Sequence, residues 1–137
     1  MAAERIIDAE IAQLYAQVLV AIARAEGQIG SDEGHRLQQQ IAERCSMPIA
    51  LDDLLLGEPV DPERFAQIVH SARDPFRHAG MHPGQLAAMI VTDGATVVLA
   101  KGYITEAEAQ QIVRFATALG CSLDEVRRLC RHLSPIV

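Results

Sequence analysis

Three of the five histidines lie close together in the sequence, as His70, His78 and His82, and Asp74 stands among them at four-residue spacing. Imidazole nitrogens and a carboxylate in this arrangement could supply three or four ligands to zinc or iron, with a further position open to water or substrate. A polar loop with solvated histidines, or with histidines at helix ends, would contain the same residues, since prolines and glycines interrupt the segment. If the protein binds a metal ion, the sequence places the site here.

Asp93 is the second group that could do chemistry, because it interrupts the otherwise apolar stretch from Met81 to Ala100. A carboxylate buried in such a helix needs a partner, or it takes up a proton. Four arrangements are open. Asp93 joins the histidine cluster or Glu26 as a metal ligand, acts as a base in a pocket between the two halves, lies on a more solvated edge of the helix, or bonds to an arginine such as Arg114. The predicted metal ligands are His70, Asp74, His78, His82 and Asp93.

Other catalytic patterns are missing from the sequence. It has no Gly-rich phosphate-binding loop, no Gly-x-Ser-x-Gly turn and no Glu-x-x-His pair of the kind that di-iron bundles use. Cys45, Cys121 and Cys130 are odd in number and lack Cys-x-x-Cys spacing, which indicates free thiols in a reducing compartment. We therefore predict no catalytic residue, and a binding function is favoured over catalysis.

Charge and hydropathy narrow the classes of partner. The formal net charge is -6 and Lys101 is the only lysine, so the chain lacks the basic surface that attracts nucleic acid. A signal peptide needs an apolar stretch near the N-terminus, and acidic residues interrupt the sequence there. Polar residues likewise interrupt the apolar stretch from Met81 to Ala100. We therefore expect a cytoplasmic protein with no membrane span and no nucleic-acid partner.

Hydrophobic periodicity predicts the elements that must position these groups. Apolar residues at steps of three and four predict a first helix over residues 4–25, which Gly27 ends. Local start signals, which include an Asp-Pro step and two capping boxes, predict further helices. These helices begin near Ser31, Ala50, Asp61, Pro83, Thr105 and Ser122. The expected fold class is all-α, a compact bundle of about seven helices without strands.

A Gly-x-Ile step occurs twice in the chain, 75 positions apart, so that Gly27 falls on Gly102 and Glu33 falls on Glu108. Glycine supplies the left-handed conformation that ends a helix, the isoleucine packs into the hinge, and the glutamate opens the next helix. The repeated signature predicts two related helix-turn-helix units, and helix termination explains it without a ligand.

The same Gly-x-Ile step occurs in the calcium loop of EF-hands, so that possibility needs a test by position. With either glycine at the sixth loop position, the first, third and fifth ligand positions would be Ile22, Arg24 and Glu26, or Val97, Leu99 and Lys101. Five of these six side chains cannot offer an oxygen to calcium. The sequence therefore predicts no EF-hand calcium site.

The stretch from Ala23 to Glu33 reads Ala-Arg-Ala-Glu-Gly-Gln-Ile-Gly-Ser-Asp-Glu. It resembles the Ala-x-Ala-Asp-Gly-x-Ile-x-x-x-Glu signature of the TerB-like family of tellurite-resistance proteins, and residues 100–108 are similar to a second, weaker copy. The resemblance implies a compact all-helical domain with duplicated units, found in bacterial stress-response and membrane-associated systems and linked to metal binding through surface acids. The chain departs from the family at Lys101, where an acid is expected before the second glycine.

These inferences predict a single TerB-like domain over residues 1–137, with one unit at 4–57, a second at 83–134, and a connecting helix and loop at 61–82. The leading hypothesis is a non-enzymatic module that binds a protein or a metal ion in a bacterial stress-response or accessory system. The alternative is a small metal-dependent enzyme or metal carrier that uses the His/Asp cluster, with zinc or iron as the cofactor. A homodimer that acts as a scaffold is a third hypothesis.

Overall fold

A computed structural model describes residues 9–45, 49–71 and 83–136. Within these ranges the protein is all-helical, as the sequence predicts, and contains seven α-helices and no strand. The helices are α1 (Ala9–Ala23), α2 (Ser31–Arg44), α3 (Leu51–Leu56), α4 (Pro62–Ser71), α5 (Pro83–Val98), α6 (Glu106–Ala118) and α7 (Leu123–Leu129). Short 3₁₀ turns follow α5 at Leu99–Lys101 and α7 at Arg131–Leu133.

Helix α5 lies at the centre of the bundle and packs against α1, α2, α6 and α7, while α4 packs against α6. The buried side chains are mostly aliphatic, and Tyr15, Phe65 and Phe115 are the largest of those that are fully buried. The Phe65 and Phe115 rings meet edge to face with their centroids 5.6 Å apart, a geometry that the ring quadrupole favours. This pair joins α4 to α6 and so fixes one side of the bundle.

The stretch Pro83–Lys101 is long and apolar enough to cross a membrane by length and composition alone. Half of its most apolar window is buried inside the bundle. A central helix must be apolar on most of its faces because neighbours surround it, so core helices pass the same length and composition test.

Several helices begin at the signals found in the sequence. The Asp61 carboxylate accepts a hydrogen bond from the backbone N–H three residues later, at 2.7 Å, and so caps the start of α4. Thr105 with Glu108, and Ser122 with Glu125, form the two predicted capping boxes. These contacts satisfy N–H groups that the first turn of a helix leaves without partners.

The two Gly-x-Ile steps have the same local conformation. Gly27 and Gly102 have φ angles of 102° and 104°, and each donates its N–H to the carbonyl three residues earlier at 2.8 Å. Ile29 and Ile104 then pack, partly buried, against the core. The predicted helix termination by glycine is confirmed at both positions.

Gly94 marks a close approach of three helices. A β-carbon at Gly94 would lie 3.0 Å from Ile22 Cδ1 of α1 and 3.4 Å from Ile112 Cγ1 of α6. Both isoleucines are fully buried, so packed neighbours restrict any movement away from an added methyl group. Glycine therefore allows α1 and α6 to approach the centre of α5 directly.

We expect Gly94→Ala to lower the free energy of unfolding by about 1 to 2 kcal/mol, because overpacking outweighs the better helix propensity of alanine. Gly84→Ala in the same helix is the matched control, since a β-carbon at Gly84 would lie within 4 Å of no atom in residues 9–45, 49–71 and 83–136. Urea unfolding followed by circular dichroism measures both. A Gly94→Ala protein as stable as the Gly84→Ala protein would contradict the tight packing.

Candidate functional site

The structure describes two of the five predicted metal ligands, and Asp74, His78 and His82 lie outside the described residues. His70 is exposed in the last turn of α4, whereas Asp93 is 3% exposed in the middle of α5. Within residues 9–45, 49–71 and 83–136, no group of three or more His, Cys, Asp or Glu side chains is placed to hold a metal ion. A metal site at the His/Asp cluster therefore stays a prediction.

Tyr15 of α1 and Arg44 of α2 hold the buried Asp93 carboxylate. The Tyr15 hydroxyl donates to Oδ2 at 2.5 Å, and the Arg44 guanidinium donates to Oδ2 at 2.9 Å and to Oδ1 at 3.2 Å. Of the partners considered from the sequence, an arginine is the one observed. It is Arg44 rather than Arg114, because α2 packs along α5 at this level while Arg114 is exposed on α6.

The electrostatics of this cluster keep Tyr15 neutral and Arg44 charged at neutral pH. Burial raises the pKa of Tyr15, and the charge and hydrogen bond of Asp93 raise it further. The hydrogen bond to Asp93 is also the main reason that the pKa of Arg44 is raised. A neutral phenol and a charged guanidinium thus both donate to one carboxylate, and the cluster ties α1, α2 and α5 together.

The three cysteines are free thiols. Burial raises the pKa of Cys45 to about 11, and it also raises the pKa of Cys121. Because the thiolate is the nucleophilic form, both thiols are poorly reactive near neutral pH.

A second buried ionic cluster lies at Lys101 and was not foreseen as a contact from the sequence. The Lys101 ammonium is 3.2 Å from Glu33 Oε2, and it is 2.7 Å and 2.8 Å from the two carboxylate oxygens of Glu108. It also donates to the Val98 carbonyl at 3.1 Å. Glu33 and Glu108 are only 4% and 1% exposed. The sequence did contain a signal for this cluster. Lys101 is the only lysine of the chain and directly precedes Gly102, and Glu33 and Glu108 occupy the same position in the two Gly-x-Ile repeats.

Each of these glutamates has two roles. Glu33 accepts the Gly30 N–H at 3.3 Å and Glu108 accepts the Thr105 N–H at 2.9 Å, so both carboxylates also cap helix starts. Burial lowers the pKa of Lys101, but the hydrogen bonds and charges of Glu108 and Glu33 outweigh it, so that the net pKa is raised. Lys101 is therefore charged at neutral pH, and its hydrogen bonds are all to the protein's own groups.

The candidate binding site is an open groove of about 710 Å³, which we call the α1/α6 groove. Its first two walls are single faces of α1 and α6, since the lining residues of each follow the i, i+3, i+4, i+7 spacing of one helix face. The α1 face consists of Gln17, Val20 and Ala21, extended by Arg24 in the turn that follows, and the α6 face consists of Ala107, Gln110, Gln111 and Arg114.

The third wall of the α1/α6 groove comes from the end of α3 and its connection to α4. Leu54 and residues 58–62 line this wall, which includes two prolines that stiffen the connection. Leu56 stands in the sequence between lining residues Leu54 and Glu58, and it is 87% exposed. The groove thus combines apolar and polar lining with an exposed leucine close by in the chain.

Four charged side chains line the α1/α6 groove, and they do not pair with one another. Arg24 and Arg114 stand on the helical walls, while Glu58 and Asp61 stand on the third wall. In the described part of the chain, the ion pairs involve other residues. Arg24 donates to the Leu55 carbonyl at 3.4 Å, and Asp61 is used as a helix cap. The guanidinium groups therefore have no carboxylate partner among the described residues.

No protein-family model, curated protein or solved structure matches this chain. The resemblance to the TerB-like family therefore depends on residues 23–33 and 100–108 alone. Over the described residues the structure is all-helical, its two buried ionic clusters are satisfied internally, and the arginines of the α1/α6 groove have no carboxylate partner.

Proposed function

We propose that this protein is a non-enzymatic, TerB-like helical module that binds a partner protein in the α1/α6 groove. It would act in the cytoplasm, in a bacterial stress-response or accessory system. The observation that carries the proposal is the groove itself, whose glutamines and arginines are available while the buried charges of the fold bind one another. The shared geometry at Gly27 and Gly102 supports the two related units of a TerB-like fold.

The composition of the α1/α6 groove favours a protein partner. Interface cores are apolar with a polar rim, and arginine is enriched among the residues that contribute most to binding. Here Ala21, Pro59 and Ala107 supply accessible apolar surface, and the arginines and glutamines supply donors. Leu56 is nearly fully exposed beside the third wall, where a partner could cover it.

The lining of the groove also favours binding over catalysis. Acid-base or nucleophilic catalysis needs a positioned His, Cys, Ser, Tyr or Lys, or a carboxylate held by a partner of suitable charge. The described residues that line the groove include none of those five types. Their carboxylates, Glu58 and Asp61, have no cation of the described ranges within ion-pair distance.

Photo-crosslinking from within the groove tests this proposal. A photoreactive phenylalanine analogue in place of Gln111 should form a covalent adduct with one partner protein in cells of the source organism, and mass spectrometry identifies that partner. Gln38, exposed on α2 away from the groove lining, is the matched control position and should give no such adduct.

A blocking substitution makes the test specific. Ala107→Trp would fill the groove and should abolish the adduct from position 111, whereas Ala42→Trp on the exposed face of α2 should leave it intact. Circular dichroism checks that both variants are folded. Absence of an adduct at position 111, or the same adduct at position 38, would contradict the proposed function.

A further inference from the structure

We infer that the segment bound in the α1/α6 groove is acidic, with carboxylates that bind Arg24 and Arg114 on either side of an aliphatic residue. This inference rests on the proposed function and names the chemistry of the partner. It follows from the charges in the groove that the fold leaves without a counter-ion.

The two arginines stand on different walls of the same groove. Arg114 has no hydrogen bond or ion pair from its guanidinium to any described residue, and the hydrogen bond from Arg24 to the Leu55 carbonyl is long, at 3.4 Å. A guanidinium presents donors in a planar fork that matches the two oxygens of a carboxylate. Two such forks in the lining of one groove therefore favour a ligand with more than one carboxylate.

The acids of the groove do not neutralise these arginines. Asp61 already accepts a helix N–H at 2.7 Å, and the start of α4 stabilises its negative charge. Glu58 lies on the same connection between α3 and α4, and neither acid is within 4 Å of the guanidinium nitrogen of any arginine that the structure describes. The helical walls are therefore the side of the groove that a carboxylate would approach.

The remaining lining residues select a peptide among acidic ligands. Gln110 and Gln111 can donate to carbonyl oxygens of a peptide backbone, and Ala21, Pro59 and Ala107 offer accessible apolar surface to an aliphatic side chain. A nucleic acid is disfavoured because the net charge of -6 repels a polyanion over its whole length. A short peptide carries only a few carboxylates, and these can lie next to the two arginines.

Selection from a phage-displayed library of random linear peptides tests the inference. The protein should enrich sequences in which Asp or Glu flank Leu, Ile or Val. The best peptide, labelled and titrated by fluorescence anisotropy, should bind Arg24→Ala and Arg114→Ala with about tenfold higher Kd, as expected for loss of one hydrogen-bonded charge. Arg128→Ala is the matched control, since Arg128 is exposed on α7 outside the groove, and its Kd should not change.

A peptide in which glutamine replaces the glutamate should bind the original protein more weakly. The Arg114→Ala substitution should raise the Kd of this glutamine peptide by a smaller factor than it raises the Kd of the acidic peptide. Enriched peptides without acids, acidic peptides that bind the Arg24→Ala/Arg114→Ala protein equally well, or no enrichment at all would each overturn the acidic partner. Crosslinking from Gln111 would then still support protein binding in the groove. Absence of that crosslink would instead overturn the proposed function.

Discussion

Replacement of Lys101 by methionine is expected to lower the free energy of unfolding by about 3 to 5 kcal/mol near neutral pH, the usual range for breaking a buried ion pair. Methionine preserves most of the side-chain length but removes the ammonium that bonds to Glu33 and Glu108. The two buried carboxylates that share this ammonium would then be left without a cation, and buried like charges repel each other.

The pH dependence separates this charge effect from a loss of packing. The pKa of Lys101 is raised in the folded protein, so its stabilising contribution is complete below the ordinary pKa of 10.5 and is lost as the pH rises through the folded value. The deficit of the Lys101→Met protein relative to the original protein should therefore be larger at about pH 8 than at about pH 11, because the original protein loses the Lys101 charge as the pH rises. A simple packing defect would give the same deficit at both.

Urea unfolding of the Lys101→Met protein at the two pH values provides the measurement. Addition of Glu33→Gln to Lys101→Met should restore part of the lost stability, since glutamine can still accept the Gly30 N–H but carries no charge. Arg128→Met, at an exposed cation outside the cluster, is the control and should be close to neutral. A deficit independent of pH, with no recovery from Glu33→Gln, would contradict the electrostatic role.

Replacement of Asp93 by asparagine is expected to lower the free energy of unfolding by about 2 to 4 kcal/mol, because a buried ion pair loses its charge while its shape is kept. Arg44 would lose its counter-ion, and an amide cannot accept with both of its terminal atoms as the carboxylate does. The partial exposure of Arg44 allows water to solvate part of the guanidinium, which keeps the expected loss below that at Lys101.

Tyr15→Phe is the matched comparison for Asp93→Asn, since it removes one hydrogen bond but leaves the Arg44 ion pair, and it should cost about 1 to 2 kcal/mol. In the double variant the two losses should not add, because both residues act on the same carboxylate. Additive losses would show that Tyr15 and Asp93 stabilise the bundle independently. Zinc and iron analysis also tests the prediction that Asp93 is a metal ligand. If it is, the original protein contains stoichiometric metal and the Asp93→Asn protein does not.

The parts of the fold that could be predicted from the sequence are those with local causes. Asp61 and Thr105 were predicted helix starts because a capping side chain bonds to a backbone N–H within three residues. Gly27 and Gly102 were predicted helix ends because the left-handed conformation strongly favours glycine there. Such features depend on a few neighbouring residues, so the order of residue types is sufficient to identify them.

The partners of the buried charges could not be predicted because they depend on how distant helices pack. Asp93 and Arg44 are 49 positions apart, and Lys101 and Glu33 are 68 positions apart. Arg114 was an equally reasonable partner for Asp93 until the helix directions were known. The α1/α6 groove could not be predicted either, because it also depends on how distant helices pack. In the sequence its glutamines and arginines have the pattern of ordinary solvent-exposed helix faces.

The two buried clusters also decide the direction in which α2 lies along α5. Glu33 at the start of α2 meets Lys101 just beyond the end of α5, and Arg44 at the end of α2 meets Asp93 within α5, so the two helices run antiparallel. If α2 docked the other way round, Glu33 would approach Asp93 and Arg44 would approach Lys101. Like charges would then be buried together, so these four residues select the native orientation by penalising its reverse.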